Sequence, residues 1–222
     1  SQGNEWGDHL SLLRQVELHF APRRPVFLIH RLDREALGLM VVAHHRGAAA
    51  DLSRQWQLRT TLKRYRALVR GLPGSVQGEI RTALDGKPAV TSWRLLRGDS
   101  EPGCSLLEVT IETGRKHQIR RHLALAGLPV MGDPRHGHDN RNTTGLALAA
   151  VELGFTHPQT GAALCYRSPE ELLPAELTLL PGDQSAPVGA AGPGVAGPGV
   201  AGPGVAGPGV AGPGEIGRAS CR

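Results

Sequence analysis

Short segments in which apolar and polar residues alternate constrain the fold of this chain more than any other feature. The clearest is KRYRALVR at 63–70, where Tyr65, Ala67 and Val69 alternate with arginines. This period of two predicts a strand with one face against a core and a basic face in solvent, ended by the turn GLPG at 71–74.

Other segments extend the same pattern along the chain. Strands are predicted at 26–29, 39–43, 90–96, 105–112, 146–155 and 162–167, and helices at 47–58 and 115–126. Thr113 is expected to cap the second helix and Gly127 to end it. Because most elements are strands without regular helical crossovers, the pattern favours an α+β fold, with a mixed, mostly antiparallel sheet flanked by helices and loops.

The C-terminal part of the chain has a different composition. AGPG occurs five times between 191 and 214, and Pro-Gly at this spacing predicts disorder over 187–214. Back-translation of the last eight residues, EIGRASCR, resembles a sequencing adapter, so 215–222 are expected to be an artefact. One domain is then expected in residues 1–186, which is long enough to bury a substantial core.

Several classes of protein do not fit the sequence. It contains no apolar run of 18 residues and no opening signal peptide, so a membrane span is not expected and a cytoplasmic location is. Three cysteines do not make a disulfide framework or a zinc site. The histidines form no HExxH pattern, and no metal is expected.

The charge balance is compatible with a nucleic-acid partner. The net charge is +5, and arginine supplies 22 of the 25 basic residues. Arginine binds phosphate through two N–H groups and stacks on bases. A GC-rich genome produces the same composition, so charge alone leaves both explanations open.

Two segments carry residues suited to chemistry. His30-Arg-Leu-Asp33 lies between two predicted strands, where a carboxylate can act as a nucleophile or general base, or can simply satisfy its own turn. The segment TGRKHQIRRH at 113–122 holds four basic residues and two histidines. It suits either phosphate binding and pairing with an acid, or a solvated basic face.

Five ordered motifs between about residues 25 and 170 resemble one family. They are HRLD (30–33) with GLMV (38–41), KRYRALVRG (63–71), TGRKHQIRRH (113–122), PVMGD (129–133), and LALAAVEL (146–153) with HPQTG (157–161). Their order and spacing resemble the pseudouridine synthases of the ribosomal large subunit synthase A type. Residues 115–121, followed by GDPRHG (132–137) and by Asn-Arg-Asn at 140–142, look most similar to the tRNA-modifying synthase C branch.

The chain also departs from the family pattern. Ala36 and Leu37 stand where the family usually has Thr-Ser, and Ala149 stands where it usually has a histidine. The family's first strands, with an N-K-P-x-G-L segment, are not found ahead of HRLD. The resemblance therefore leads us to expect a catalytic domain that is truncated at its N-terminus.

The resemblance implies isomerisation of uridine to pseudouridine in structured RNA, tRNA being favoured and rRNA possible, without a cofactor and by a monomer. The target base would be flipped into a pocket. Asp33 would attack the sugar or abstract its proton, and both roles stay open. Arg120 would pair with Asp33 and keep it ionised, and Tyr65 would stack on the uracil and relay a proton at C5.

The resemblance also implies contacts with the RNA. Arg31 would fill the space that the base leaves or would bind its phosphate, and Ile119 would form an apolar wall. Backbone phosphates would be contacted by a basic set of residues: Arg64, Arg66, Arg115, Lys116 and His117. Two alternative functions for the chain are an RNA-binding module without turnover and a small α+β hydrolase, although no serine or metal constellation supports the latter.

Overall fold

The computed structural model describes residues 11–99, 103–179 and 183. The elements within them, in chain order, are α1 (Leu12–Phe20), β1 (Phe27–Leu28), β2 (Leu37–Gly38), β3 (Val42–Ala43), α2 (Arg46–Leu58), β4 (Leu62–Arg70), β5 (Gln77–Ile80), β6 (Thr91–Asp99), β7 (Cys104–Ile111), α3 (Gln118–Leu125), β8 (Leu148–Thr156) and β9 (Ala163–Arg167). Two 3-10 turns follow, at Glu170–Leu172 and Ala175–Leu177. The predicted disordered repeat at 187–214 and the suspected artefact at 215–222 lie outside the described residues.

Most of the strands belong to one sheet. Its order is β2-β8-β4-β7-β6-β5, and β9 pairs with β8 beyond the end of β2. The short strand β2 runs parallel to β8, whereas β4, β5, β6, β7, β8 and β9 pair antiparallel. The predicted α+β class with a mixed, mostly antiparallel sheet is therefore confirmed.

Strand β4 separates two hydrophobic cores. Ala67 and Val69 face the core that α3 covers, together with Leu123. On the other side of the sheet, Leu68 packs against a second core that includes Leu177 of the C-terminal segment. Successive side chains of β4 therefore point alternately into the two cores, as in any strand. This agrees with the alternation in KRYRALVR.

The basic face predicted on β4 is covered at Arg64 and Arg66, and only Arg70 at its C-terminal end is exposed. Arg66 is 8% exposed, and its guanidinium donates to both carboxylate oxygens of Glu170, at 2.7 and 2.6 Å, and to the carbonyl oxygen of Leu177 at 3.0 Å. Arg64 pairs with Glu152 on β8 at 2.5 Å. The prediction of a solvent-exposed arginine face is therefore wrong, because residues 169–179 fold back over this side of the sheet.

Helix α3 begins three residues later than predicted. Its N-cap is His117, whose φ of 51° is left-handed. Thr113 does not cap the helix: its hydroxyl accepts from the Val90 N–H at 3.1 Å and donates to Gln118 Oε1 at 2.7 Å. Gly127, with φ of 75°, follows the helix as expected.

The region before α2 differs most from the prediction. Helix α1, capped by the Ser11 hydroxyl accepting from the Arg14 N–H at 3.2 Å, was not predicted, and β1, β2 and β3 have two residues each. Gly38 explains part of the difference. Its φ is 105°, and a Cβ atom there would lie 2.2 Å from the carbonyl oxygen of Ala150, so only glycine allows β2 to approach β8 this closely.

The helices of the described region are short. The longest, α2, has 13 residues, and none of the described helices combines the length and the hydropathy that crossing a bilayer requires.

Candidate active site

A cleft of about 740 Å³ opens on the α3 side of the sheet. Three chain segments line it: the loop from Ile29 to Ala36, the first half of β4, and the stretch from Ile111 to Ile119. Trp56, Gln57 and Arg59 at the end of α2, and Leu148 of β8, complete the walls. The cleft therefore brings together residues of four of the five motifs: HRLD, KRYRALVRG, TGRKHQIRRH and LALAAVEL.

Asp33 enters this cleft from the loop between β1 and β2. The preceding Leu32 is buried and anchors the loop, and the Ala36 N–H closes a turn onto the carbonyl oxygen of Asp33 at 3.2 Å. The Asp33 side chain is 21% exposed and accepts a hydrogen bond from Arg120 Nη1 at 3.2 Å. The Asp33 carboxylate is thus partly exposed to a ligand in the cleft and is hydrogen-bonded to Arg120.

Arg120 is held rigidly by a second carboxylate. It is 1% exposed, and its Nε and Nη2 donate to Asp133 at 2.8 and 2.6 Å, which leaves Nη1 for Asp33. The backbone N–H groups of Arg135 and His136 fix Asp133 at 2.9 and 3.2 Å. The hydrogen bonds with Asp133, and then with Asp33, raise the pKa of Arg120. It therefore remains a fixed cation beneath Asp33.

Tyr65 faces Asp33 from β4. Burial, and then the negative charge of Asp33, raise the pKa of Tyr65 to about 12, so its hydroxyl stays protonated at neutral pH. Ile111, Ile119 and Leu148 line the same end of the cleft. An aromatic ring and an apolar wall beside a carboxylate form a place where a flat, uncharged ring can lie.

His30 is a neutral part of the cleft wall. Its ring stacks on Trp56, with centroids 4.9 Å apart and planes at 21°. Its Nε2 accepts a hydrogen bond from the Val41 N–H at 3.1 Å, so the proton of the neutral ring is on Nδ1. Burial, and then the charge of Lys63, lower the pKa of His30 to about 4.

Gln118 shapes the loop on the opposite side. Its Oε1 accepts from the Thr113 hydroxyl and the Arg115 N–H, at 2.7 and 3.0 Å. Its Nε2 donates to the Val90 carbonyl and the Thr91 hydroxyl, at 2.8 and 3.1 Å. The buried amide thereby ties the loop before α3 to β6.

The residues of this loop differ in exposure. The Arg115 Nε donates to the carbonyl oxygen of Pro88 at 3.2 Å, and Lys116 is exposed at the rim. His117 Nδ1 lies 3.0 Å from His136 Nε2, so one of the two rings donates to the other. Burial is the main cause that lowers the pKa of both histidines. They therefore favour their neutral forms.

Most of the residues expected at the site come together. Those that line the cleft are Arg31, Asp33, Tyr65, Arg115, Lys116, His117 and Ile119. Arg120 contacts Asp33 from beneath. Arg64 and Arg66 do not join them, since they lie on the opposite face of β4 in ion pairs, and neither is free to meet a phosphate there.

Sequence reasoning missed five residues around the cleft: His30, Trp56, Lys63, Gln118 and Asp133. Signals for two of them were present. Lys63 is two positions from Tyr65 and therefore shares its face of the strand, and Asp133 ends the PVMGD motif. The stacking of His30 on Trp56 and the four bonds of Gln118 depend on chain segments that meet only in the fold. Within the described part of the chain, no three His, Cys, Asp or Glu side chains are grouped to hold a metal ion.

A family model described as RNA pseudouridylate synthase matches residues 1–125, a range that contains Asp33, Tyr65 and Arg120. The chain belongs to the RNA pseudouridylate synthase family. The resemblance read from the five motifs is thus confirmed at the level of the family.

Curated RNA pseudouridine synthases are similar over much of this chain. An uncharacterized RNA pseudouridine synthase of Chloroflexus aurantiacus is 40% identical over 168 residues, 69% of this chain and 52% of that protein. Ribosomal large subunit pseudouridine synthase D of Nitrosomonas europaea is 37% identical over 202 residues, 80% of this chain and 57% of that protein. The chain spans about half the length of the curated pseudouridine synthases that it matches.

Solved structures of this family share the fold. Human RNA pseudouridylate synthase domain containing 1 superposes with a TM-score of 0.64 at 26% identity, covering 75% of this chain and 77% of that one. Human RNA pseudouridylate synthase domain containing 4 has a TM-score of 0.59 at 24% identity, over 74% of this chain and 78% of that one, a likeness of fold alone.

Proposed function

We propose that this chain converts uridine to pseudouridine in structured RNA, with Asp33 as the catalytic carboxylate. The observation that carries the proposal is the pairing of a partly exposed Asp33 with a buried Arg120, beside Tyr65, in a cleft of a pseudouridylate synthase family domain. A carboxylate supported in this way can attack carbon or accept a proton.

The reaction is an isomerisation. The target uridine leaves the RNA stack and its uracil lies against Tyr65 and Ile119. Asp33 attacks C1′ of the ribose or abstracts a sugar proton, and the bond between C1′ and N1 breaks. The uracil turns and C5 bonds to C1′, while the bond between Asp33 and C1′ breaks or, in the second route, while the sugar regains the proton that Asp33 removed. The C5 proton then goes to solvent, and N1 regains a proton. No group is gained or lost overall, so the residues named here suffice without a cofactor.

Arg120 donates a hydrogen bond to the Asp33 carboxylate and fixes its position in this scheme. Its own charge is balanced by Asp133, which is buried with it at 2.6 Å. Buried ion pairs need such additional bonds to offset desolvation. Tyr65, neutral because of its raised pKa, gives the flipped base an aromatic face and a hydroxyl that can relay the C5 proton.

Basic residues at the rim supply the proposed contacts with RNA phosphates. Arg31 and Lys116 are exposed and line the cleft, and the half-buried Arg115 and His117 line it as well. Arg31 is placed to enter the space that the flipped base leaves or to bind its phosphate.

The RNA substrate is the finer part of the proposal. The sequence alone favoured tRNA, through similarity to the synthase C branch. The relative from Nitrosomonas europaea, and a second from Neisseria meningitidis that is 36% identical, are both named ribosomal large subunit pseudouridine synthase D. We therefore propose large-subunit ribosomal RNA as the first substrate to test and tRNA as the second.

Release of tritium from RNA that carries uridine labelled at C5 measures the reaction directly. Asp33→Asn should lower the release rate at least about a hundredfold, because an amide can neither attack C1′ nor accept the proton. RNA affinity should not fall, since the change removes a negative charge near the phosphates. Asp85→Asn, an exposed aspartate outside the cleft, is the matched control and should release tritium at the parent rate.

The same assay separates the proposal from an RNA-binding module without turnover. RNA binding by the parent chain with no tritium release from either rRNA or tRNA would favour the binding module. Release at the parent rate by Asp33→Asn would remove Asp33 from the mechanism.

A further inference from the structure

The cleft contains a buried cation that the proposed reaction does not use. Lys63 lies on the cleft face of β4, two residues before Tyr65, and is 6% exposed. Its Nζ donates to the carbonyl oxygen of Glu112 at 3.0 Å. An ammonium has three N–H donors. Among the described residues this is its one hydrogen bond, so two donors remain for a ligand in the cleft.

The charges around Lys63 leave it without a paired anion. Burial, and then the positive charge of Arg59, lower the pKa of Lys63, while the carboxylate of Glu112 opposes them. Within the described chain no carboxylate oxygen lies within 4.0 Å of its Nζ, the range of an ion pair. A buried charge without a partner is costly. An anion that entered this end of the cleft would remove that cost.

The spacing along β4 suggests which anion fits. Residues two apart in a strand are separated by about 6.6 Å and point the same way. That separation is comparable with the span from the base to the phosphate of one nucleotide. His30, whose ring stacks on Trp56, lies close enough to Lys63 to sense its positive charge. The burial of Lys63 strengthens a charge-assisted bond to it.

We propose that Lys63 binds a phosphate that flanks the target uridine, and so positions the base between Asp33 and Tyr65. This inference rests on the proposed function, since it requires a nucleotide in the cleft. Lys63 is here a positioning residue for the substrate and not a group that reacts.

The test pairs a protein change with a matching change in the RNA. Lys63→Met keeps the length and apolar stem of the side chain without its charge. The RNA carries a methylphosphonate, which has no charge, at either the 5′ or the 3′ phosphate of the target uridine. With the parent chain, one of the two substitutions should weaken binding about tenfold, the loss expected for one bond to a charged group. With Lys63→Met, the same substitution should cause no further loss, as for two partners of one interaction.

Two further variants guard the interpretation. Lys63→Arg keeps the cation and should keep the sensitivity to the methylphosphonate. Lys87→Met removes an exposed lysine outside the cleft and should also keep it, whatever its effect on overall affinity. The melting temperature of each variant, compared with that of the parent, verifies that it is folded.

The outcomes are distinguishable. A parent that forms pseudouridine but loses no affinity with either methylphosphonate, or a Lys63→Met variant that loses as much as the parent, overturns the role of Lys63 and leaves the proposed function intact. A parent that does not bind the RNA overturns both.

Discussion

At the residue scale, Arg120 binds two carboxylates, and each of them has a different function. Asp133 takes two of its nitrogens in a fork, and Asp33 receives the remaining Nη1. A planar guanidinium held on one side by two bonds cannot rotate, so its third direction is fixed. The orientation of Arg120 toward the cleft is therefore set by Asp133, a residue 100 positions away from Asp33 in sequence.

His30 gives a prediction about stability and pH. An unfolded histidine binds a proton near its ordinary pKa of 6.5, whereas folded His30 does so only near 4. Between these values the unfolded chain takes up a proton that the folded chain does not, so acidification favours unfolding. From this group the free energy of unfolding should fall by up to about 3 kcal/mol as the pH drops from 6.5 to 4.

His30→Gln isolates this contribution, because a glutamine oxygen can still accept from the Val41 N–H but does not titrate. Urea unfolding between pH 7.5 and 4.5 should show a smaller acid loss for the variant than for the parent, although its stability at pH 7.5 is lower without the stacking on Trp56. Parallel pH dependences for the two proteins would contradict the buried, neutral state of His30.

The proposed catalytic pair was within reach of the sequence, but its surroundings were not. Asp33 and Arg120 belong to motifs whose residue types and order resemble those of a known family, and the fold brings them to 3.2 Å. The sequence identified Lys63 only as a member of a motif. Its hydrogen-bond partner in the fold is the carbonyl oxygen of Glu112, 49 residues later in the chain. Periodicity indicates the face of a strand that a residue occupies and not what covers it.

At the element scale, β4 shows this difference most clearly. The alternation of KRYRALVR predicted the strand and the side on which Tyr65 lies. It could not predict that residues 169–179 would return to cover the arginine side, since nothing local to β4 encodes that packing. Helix α3 is a similar case: the helical pattern was correct, but Gln118 draws residues 113–117 into a loop bound to β6 and delays the first turn.

The covered arginine gives an element-scale prediction. Arg66→Met should lower the free energy of unfolding by about 1–3 kcal/mol, because the Leu177 carbonyl and the Glu170 carboxylate lose their donor. The rate of pseudouridine formation per folded molecule should not change, since Arg66 lies on the face of the sheet away from the cleft.

Glu170→Gln is the matched control for this change. The Glu170 side chain is 43% exposed, and the amide oxygen of the substituted glutamine can still accept one hydrogen bond from Arg66. Glu170→Gln should therefore lower the free energy of unfolding less than Arg66→Met does. Denaturant unfolding and tritium release, measured on the same preparations, test both statements. Unchanged stability together with weaker RNA binding would restore Arg66 as a residue that binds RNA.

At the scale of the whole molecule, the positive charge is divided between two uses. Several arginines of the sheet are neutralised by glutamates on neighbouring strands, as Arg64 is by Glu152. Exposed cations at the rim of the cleft, such as Arg31 and Lys116, are the ones that we propose to contact RNA. The net charge of +5 alone therefore does not indicate which parts of the surface attract nucleic acid.

This division predicts which cations control the salt dependence of RNA binding. If Lys116 neutralises one phosphate, Lys116→Met should reduce the slope of log affinity against log salt by about 0.7–0.9. Arg81→Met, which removes an exposed arginine that pairs with Glu79 and does not line the cleft, should leave the slope unchanged. Fluorescence anisotropy over a salt series measures the slopes of both variants. An affinity of the parent chain that does not change with salt concentration would argue against phosphate binding at this rim.

The position of β4 between β7 and β8 has a practical consequence. Its C-terminal end leads into an exposed turn, and the space around Gly74 is open. A chain cut at Gly74 would carry Asp33 and Tyr65 on one polypeptide and Arg120 on the other, so neither half alone would hold the proposed catalytic carboxylate together with its cation. Turnover by the mixed halves would then require β4 to insert between its two neighbours. Such a split enzyme would report fragment complementation through a modified nucleotide, a signal that persists in the RNA after the halves have separated.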